Sequence, residues 1–374
     1  VRILHLTTFL QGGAGMVITS LAEAQVREGH ALAVLTSRSG APGYGNYPAY
    51  LDRLAVAGIR VAAVDSLFDR RLEAQAPVAH YLDDALGGAG AFDILHAHAA
   101  VPGAVARAAV RRSGRRVPVL QTMHGWGIAK TPAQSAADVR AMNHVDRLVV
   151  PARTSAALLQ SLGVRTAHMA VVPYGVAPAP APTVTDIHVQ RMRAWRRQGD
   201  LVVCCIGTLG ERKNQALLVE ALARVAPGVS IQAVFVGDGP VDSLRRRAEA
   251  LGVADRVHLI GYQPDARLYL RESHLLALPS RGEGQPLAVL EAFCDGVPVL
   301  ASRIPELAEL VEDGRTGWLF DPEDAGALAA VLSRAAVAPG PMRALAAHAR
   351  ATYHDRFTVE RMVAGYLHEY ERAS

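Results

Sequence analysis

The chain has 374 residues, half of them hydrophobic and a fifth charged, with a net charge of +4 and a pI near 9.1. This composition is ordinary for a soluble globular protein, and the length points to two domains, each able to bury its own core. The positive excess is small for such a length: it permits an anionic ligand or a membrane surface and does not require nucleic acid.

No apolar run reaches the roughly 18 residues expected of a membrane-spanning helix. The longest candidate, Ile94 to Val110, is interrupted by histidines, Pro102 and Arg107. Cys204, Cys205 and Cys294 form no spaced pairs, which argues against a disulfide framework and a zinc site. That cysteine usage fits a reducing, cytoplasmic compartment, and no secretory leader is visible at the N-terminus. The basic runs around Arg111–Arg116 and Arg245–Arg247 read as solvated helix ends, or as contacts that hold the protein peripherally on an acidic membrane face.

In chain order, Arg2–Leu6, Ala31–Leu35, Val61–Val64, Asp93–His96 and Val117–Thr122 read as buried strands, with helical patterns between several of them. Such βαβα order implies a parallel sheet covered by helices. Gln11-Gly12-Gly13-Ala14-Gly15 follows the first strand and opens a helix. Met16, Val17 and Ile18 then break any G-x-G-x-x-G pattern, and no acid ends the second strand, which disfavours a dinucleotide site. His96 and His98 share a strand face, a spacing that can ligate metal, yet no cysteine or acid cluster accompanies them, so no metal is expected. His124 ends the next strand, and Trp126 and Lys130 follow in a loop.

The Ala-Pro stretch Ala177–Pro182 has no core-forming period and reads as a linker. The strand pattern then restarts with Leu201–Ile206, Ile231–Val236, Val257–Ile260, Leu275–Leu278 and Val297–Ala301. The expected division is residues 1–178 and 179–374, two α/β domains enclosing a cleft.

Three segments of the second half sit at strand ends, where parallel sheets bind ligands. Ile206-Gly207-Thr208-Leu209-Gly210-Glu211-Arg212-Lys213-Asn214 is the first. Of the 39 basic residues only Lys130 and Lys213 are lysines, so a lysine here stands out. Val236-Gly237-Asp238-Gly239-Pro240 is a Gly-rich turn, a weak signal alone. The third runs from Pro279 to Ala292: Glu283 is flanked by glycines, Pro286 suits a first helical turn, and Glu291 lies further along the helix. A helix N-terminus attracts a diphosphate, and carboxylates on either side can accept sugar hydroxyls. The plainer alternative is a loop acid and a surface helix acid.

Glu283 and Glu291 enclose seven residues, and the segment resembles the E-x7-E motif of retaining GT-B enzymes of glycosyltransferase family 4. The resemblance implies an α/β fold of GT-B type, two Rossmann-like domains facing across a cleft. It implies that Glu283 contacts the donor sugar, that Gly284, Gln285, Pro286 and Leu287 offer the diphosphate their backbone, and that Glu291 binds the ribose. Gly207–Lys213 resembles the family's G-R-L-x-x-x-K segment: Lys213 holds the lysine position, Thr208 stands where arginine is usual, and Arg212 is the candidate replacement. Gly237 matches the family's G-x-G-P turn, and the loop at Gly261-Tyr262 takes the place of one that borders the base. Gly12 and Gly13 resemble the N-terminal Gly-Gly loop near phosphate and acceptor. His124 matches a strand-end histidine beside the reacting sugar, and His98 and Trp126 fall on the acceptor side. The last helical stretch, Thr358 to Tyr370, is expected to cross back onto the first domain.

The implied reaction moves a hexose-type sugar from a nucleotide diphosphate sugar to an acceptor hydroxyl with retention, by front-face attack. Fixed cations and amides replace a divalent metal at the leaving diphosphate, and no cofactor is required. The acceptor, whether glycan, glycolipid or small molecule, is open. Two other readings stand beside this one, a GT-B nucleotide-sugar epimerase and a non-catalytic nucleotide-sugar-binding protein.

Overall fold

A computed structural model describes residues 1–38, 43–87, 90–127, 130–179, 186–338 and 340–374. Much of the Ala-Pro linker therefore lies outside the described residues. The chain divides into two compact units, Val1–Gly175 with Thr358–Ser374, and Val176–Phe357.

The first unit contains β1 (Arg2–Leu6), β2 (Ala31–Ser37), β3 (Arg60–Val64), β4 (Ile94–Ala97), β5 (Val119–Thr122), β6 (Arg147–Val150) and β7 (Met169–Val171). They form one parallel sheet in the order β3-β2-β1-β4-β5-β6-β7. Strands β4, β5 and β6 are buried at every position, as expected of strands covered on both faces. Core residues include Leu4, Leu6, Leu35, Leu95, Val119 and Leu148. The C-terminal helix Val359–Ala373 belongs to this unit. Its Glu369 accepts from Arg147 Nε at 2.6 Å, a buried ion pair that explains an arginine at the start of β6.

The second unit contains β8 (Leu201–Ile206), β9 (Ile231–Val236), β10 (Val257–Gly261), β11 (Leu275–Leu278), β12 (Val299–Ser302) and β13 (Gly317–Phe320), ordered β10-β9-β8-β11-β12-β13 and again parallel. Its main core gathers Leu201, Val203, Leu218, Phe235, Leu275 and Leu300.

The ten strands read from sequence are present, and β6, β7 and β13 are additional. Each reads poorly as a buried strand: β6 opens on Arg147, β7 has three residues and is only partly buried, and β13 opens on a glycine. In both sheets the chain winds one way from the first strand to one edge, then returns to build the other half. The reversal falls between β1 and β4 and between β8 and β11. At such switch points the loops after the two central strands diverge and leave room for a ligand. The loops carrying Gly12-Gly13, His98, Lys213 and Glu283 follow these four strands. No helix among the described residues is long and apolar enough to cross a membrane.

Candidate active site

In the second unit, the loops leaving β8 and β11 meet through a pair of opposite charges. Lys213 Nζ donates to both Glu283 oxygens, at 2.7 and 2.9 Å. Ser280 Oγ donates to the same carboxylate at 2.6 Å, and Arg212 Nη1 reaches Gly282 O at 2.7 Å and Glu283 Oε2 at 3.3 Å. Two cations against one carboxylate leave the cluster positive. The backbone joins the loops as well, with Arg281 N donating to Arg212 O at 2.8 Å. Arg281 itself is occupied by Glu323, at 2.7 and 2.8 Å, and so adds little free charge.

Glycines make this cluster possible. A Cβ on Gly207 would stand 3.3 Å from Lys213 Cε, so the lysine stem lies along bare backbone. Gly237 has φ +156°, and a Cβ there would fall 2.1 Å from Gly207 O. Close packing of the β8 and β9 loops therefore accounts for Gly237 without any ligand. Thr208 is exposed; its carbonyl accepts from Gln215 Nε2 at 3.2 Å, and its hydroxyl has no hydrogen bond among the described residues.

The helix Leu287–Asp295 starts directly after this cluster. Pro286 precedes it, and no side chain caps its first turn. Such a terminus presents N–H groups without helical partners. Gln285 and Pro286 are buried, while Gly284 and Leu287 are half-buried. Glu291 is half-buried too, and its carboxylate makes no hydrogen bond or ion pair among the described residues. Burial pushes its pKa up to about 7, against the opposing pull of Arg267. Arg267 cannot relieve it fully because Asp295 holds its guanidinium at 2.7 and 3.0 Å. Glu291 is thus an unpaired acceptor poised near neutrality.

In the first unit, Gly12 and Gly13 are exposed at the start of the helix Gly12–Arg27. Trp126 is half-buried against the core, and Lys130 Nζ sits 3.6 Å from its ring centroid while also pairing with Asp138 at 2.9 Å. The second lysine of the chain is therefore spent inside the unit.

His124 is half-buried, and both of its ring nitrogens are engaged: Nδ1 with Tyr174 Oη at 2.7 Å, Nε2 with His98 Nδ1 at 3.1 Å. His98 is buried and uses its other nitrogen on His5, at 2.8 Å. His98 thus lies behind His124, with one ring nitrogen on His124 and the other on His5. Register explains the grouping, since His5 and His96 are partners across β1 and β4. Ligand atoms of His5, His96 and His98 lie within 4.8 Å of one another, close enough for one ion. Each of these histidines, however, already has hydrogen-bond partners on both ring nitrogens. Burial lowers His5 and His124 to about 4 and holds His96 and His98 well below the ordinary range, so all four rings are neutral near pH 7.

His5, Gln25, Tyr174, Tyr366 and Tyr370, which complete this network, were not legible as site residues. Only His5, a lone histidine in an apolar strand, carried a signal.

Comparison with known proteins supplies the family. Residues 11–179 match the family described as Glycosyltransferase Family 4, and residues 200–336 match Glycosyl transferases group 1. A D-inositol 3-phosphate glycosyltransferase of Gordonia bronchialis is 29% identical, over 97% of this chain and 84% of the relative. One from Acidothermus cellulolyticus is 32% identical, over 78% of this chain and 69% of the relative. Among solved structures, Anabaena Alr3699/HepE in complex with UDP and glucose superposes with a TM-score of 0.83 at 20% identity, covering 99% of both chains. The two Rossmann-like sheets, their strand order and these likenesses together make the chain an α/β protein of GT-B fold, and it belongs to glycosyltransferase family 4 as a glycosyltransferase.

Proposed function

We propose that this enzyme transfers a hexose-type sugar from a nucleotide diphosphate sugar to an acceptor hydroxyl, retaining the anomeric configuration. One observation carries the reading. A positive cluster of Lys213, Arg212 and Glu283 stands immediately before an uncapped helix, and the unpaired Glu291 lies farther along that helix. Cations and free N–H groups suit a diphosphate, and a lone carboxylate suits two vicinal hydroxyls.

In this reading the diphosphate draws Lys213 and Arg212 and sits on the backbone of Gly284, Gln285, Pro286 and Leu287. Glu283, released from full pairing, accepts from the donor sugar, and Glu291 accepts from the ribose. Thr208 adds a neutral hydroxyl, Gly237 keeps the β8 and β9 loops close, and Gly13 and His124 serve the reaction from the first unit. The sugar–phosphate bond breaks through an oxocarbenium-like state. The acceptor oxygen attacks from the face the diphosphate leaves, and its proton passes to the departing phosphate. The lysine, the arginine and the helix terminus stabilise the developing negative charge, the task a divalent metal performs elsewhere.

HepE was crystallised with UDP and glucose, which makes UDP-glucose the first donor to test. The two relatives named above act on D-inositol 3-phosphate by their names, so inositol phosphates belong in the acceptor screen beside glycans and glycolipids. The test is a thermal-shift survey of UDP-, GDP-, ADP- and dTDP-sugars, followed by transfer assays with and without chelator. Selective stabilisation by one donor, metal-free turnover and an unchanged anomeric configuration by NMR are expected. A chelator-sensitive activity restored by Mg²⁺ would overturn the metal-free mechanism, and epimerised donor without acceptor would replace transfer by epimerisation.

A further inference from the structure

Eight hydrogen bonds run through the first unit in a single line. Tyr174 Oη meets His124 Nδ1 at 2.7 Å, His124 Nε2 meets His98 Nδ1 at 3.1 Å, and His98 Nε2 meets His5 Nδ1 at 2.8 Å. His5 Nε2 then meets Gln25 Oε1 at 2.8 Å, and Gln25 Nε2 meets Tyr370 Oη at 2.9 Å. Tyr370 Oη meets His96 Nδ1 at 2.7 Å, His96 Nε2 meets Thr122 Oγ1 at 2.8 Å, and Thr122 meets Tyr366 Oη at 3.1 Å. His5, Gln25, His96, Thr122 and Tyr366 are fully buried.

A neutral imidazole has one donor and one acceptor nitrogen, and an amide donates only from nitrogen and accepts only at oxygen. These rules make the members of the line interdependent. Gln25 turns its oxygen to His5, so His5 donates from Nε2 and must accept at Nδ1. His98 therefore donates from Nε2 and accepts at Nδ1, and His124 does the same in turn. Tyr174 is left to donate its hydroxyl hydrogen to His124 Nδ1. On the other arm, Gln25 donates to Tyr370, which donates to His96, which donates to Thr122. Every bond points the same way, and one amide fixes the direction of both arms. Reversing that amide would reverse all of them, and a mixed state would leave a buried group unpaired at a cost of ~1–3 kcal/mol.

We infer that Gln25 is a positioning residue: acting through His5 and His98, it holds His124 in the tautomer with its proton on Nε2 and its Nδ1 lone pair toward Tyr174. A ligand hydroxyl that displaces Tyr174 then meets an acceptor, and only a donating hydroxyl is welcome there. The consequence for turnover rests on the assignment of His124 to the reacting sugar; the tautomer does not.

Long-range ¹H–¹⁵N correlation NMR of the labelled full-length enzyme reads each tautomer directly. His5, His98 and His124 are expected as Nε2–H tautomers. An Nδ1–H tautomer at His124 in the wild type overturns the inference whatever any variant does. Gln25→Leu removes the anchoring acceptor, and a mixture of tautomers at His124 is expected, with kcat falling about 10-fold or more and donor KM little changed. Gln25→Glu keeps an acceptor toward His5 and is expected to restore both the tautomer and most of kcat. A single Nε2–H tautomer at His124 in Gln25→Leu overturns the inference. A shifted tautomer with unchanged kcat upholds it and instead removes His124 from the proposed chemistry.

Discussion

Lys213 Nζ lies within 2.9 Å of both Glu283 oxygens, so the lysine of one loop neutralises the acid of another 70 residues away. The side chains are 15% and 4% exposed, which makes this a nearly desolvated pair. Such a pair contributes little net stability while intact, yet losing one partner strands the other. Lys213→Ala is expected to destabilise the fold by ~3 kcal/mol in chemical denaturation. It is expected to lower transfer by about 100-fold or more, because the developing charge on the diphosphate loses its nearest cation. Unchanged turnover would remove Lys213 from the phosphate site.

Arg212 tests whether the arginine absent at position 208 has been replaced from a neighbouring position. Its guanidinium touches the same carboxylate as Lys213, from an exposed position. Arg212→Ala should raise donor KM about 10-fold, the equivalent of one charge-assisted hydrogen bond. Thr208→Arg in that background should recover most of the loss. If donor affinity in Arg212→Ala equals wild type, the charge comes from elsewhere.

Glu291 sets a pH dependence. Its pKa is raised from the ordinary 4.5 to about 7, chiefly by burial. The neutral acid is therefore favoured in the folded protein. Its contribution to stability is complete below pH 4.5 and is lost as pH rises through 7. Glu291→Gln should melt above wild type at pH 8 and close to it at pH 4. Binding has the opposite sign, since two ribose hydroxyls need the ionised form. Donor KM should rise as pH falls below 7 in wild type and stay flat, at a high value, in Glu291→Gln. Isothermal titration across this range separates the two effects.

Gly237→Ala probes the packing behind the cluster. The new Cβ would lie 2.1 Å from Gly207 O, at a φ that L side chains rarely adopt. A loss of ~1–3 kcal/mol in stability is expected, with weaker donor binding, because Gly207 borders the Lys213 stem. A variant of full stability with weakened binding would instead indicate direct ligand contact.

The residues differ in how far their surroundings could be read from the chain. Glu283, Pro286 and Glu291 form a local pattern: an acid before a helix start and another on the helix fall close together in sequence, so their relation needs no tertiary information. Lys213 stood out in a chain that otherwise uses arginine, but its partner did not, because only the adjacency of β8 and β11 brings Glu283 to it. His98 shows the opposite case. Its place beside His96 was legible, whereas its burial depends on His5 in another strand and on His124 in the loop after a third.

The sequence by itself determined the ten strands with a clear apolar run, the repeated α/β pattern and the strand ends where chemistry would sit, because these follow from short-range periodicity and turn residues. Tertiary structure alone decided which cation meets which acid, why Gly237 must be glycine, and that the histidines in or just after β1, β4 and β5 join one hydrogen-bonded line. The physical reason is that charge pairing, burial and tautomer are properties of neighbours in space. In parallel sheets those neighbours come from strands separated by long crossovers.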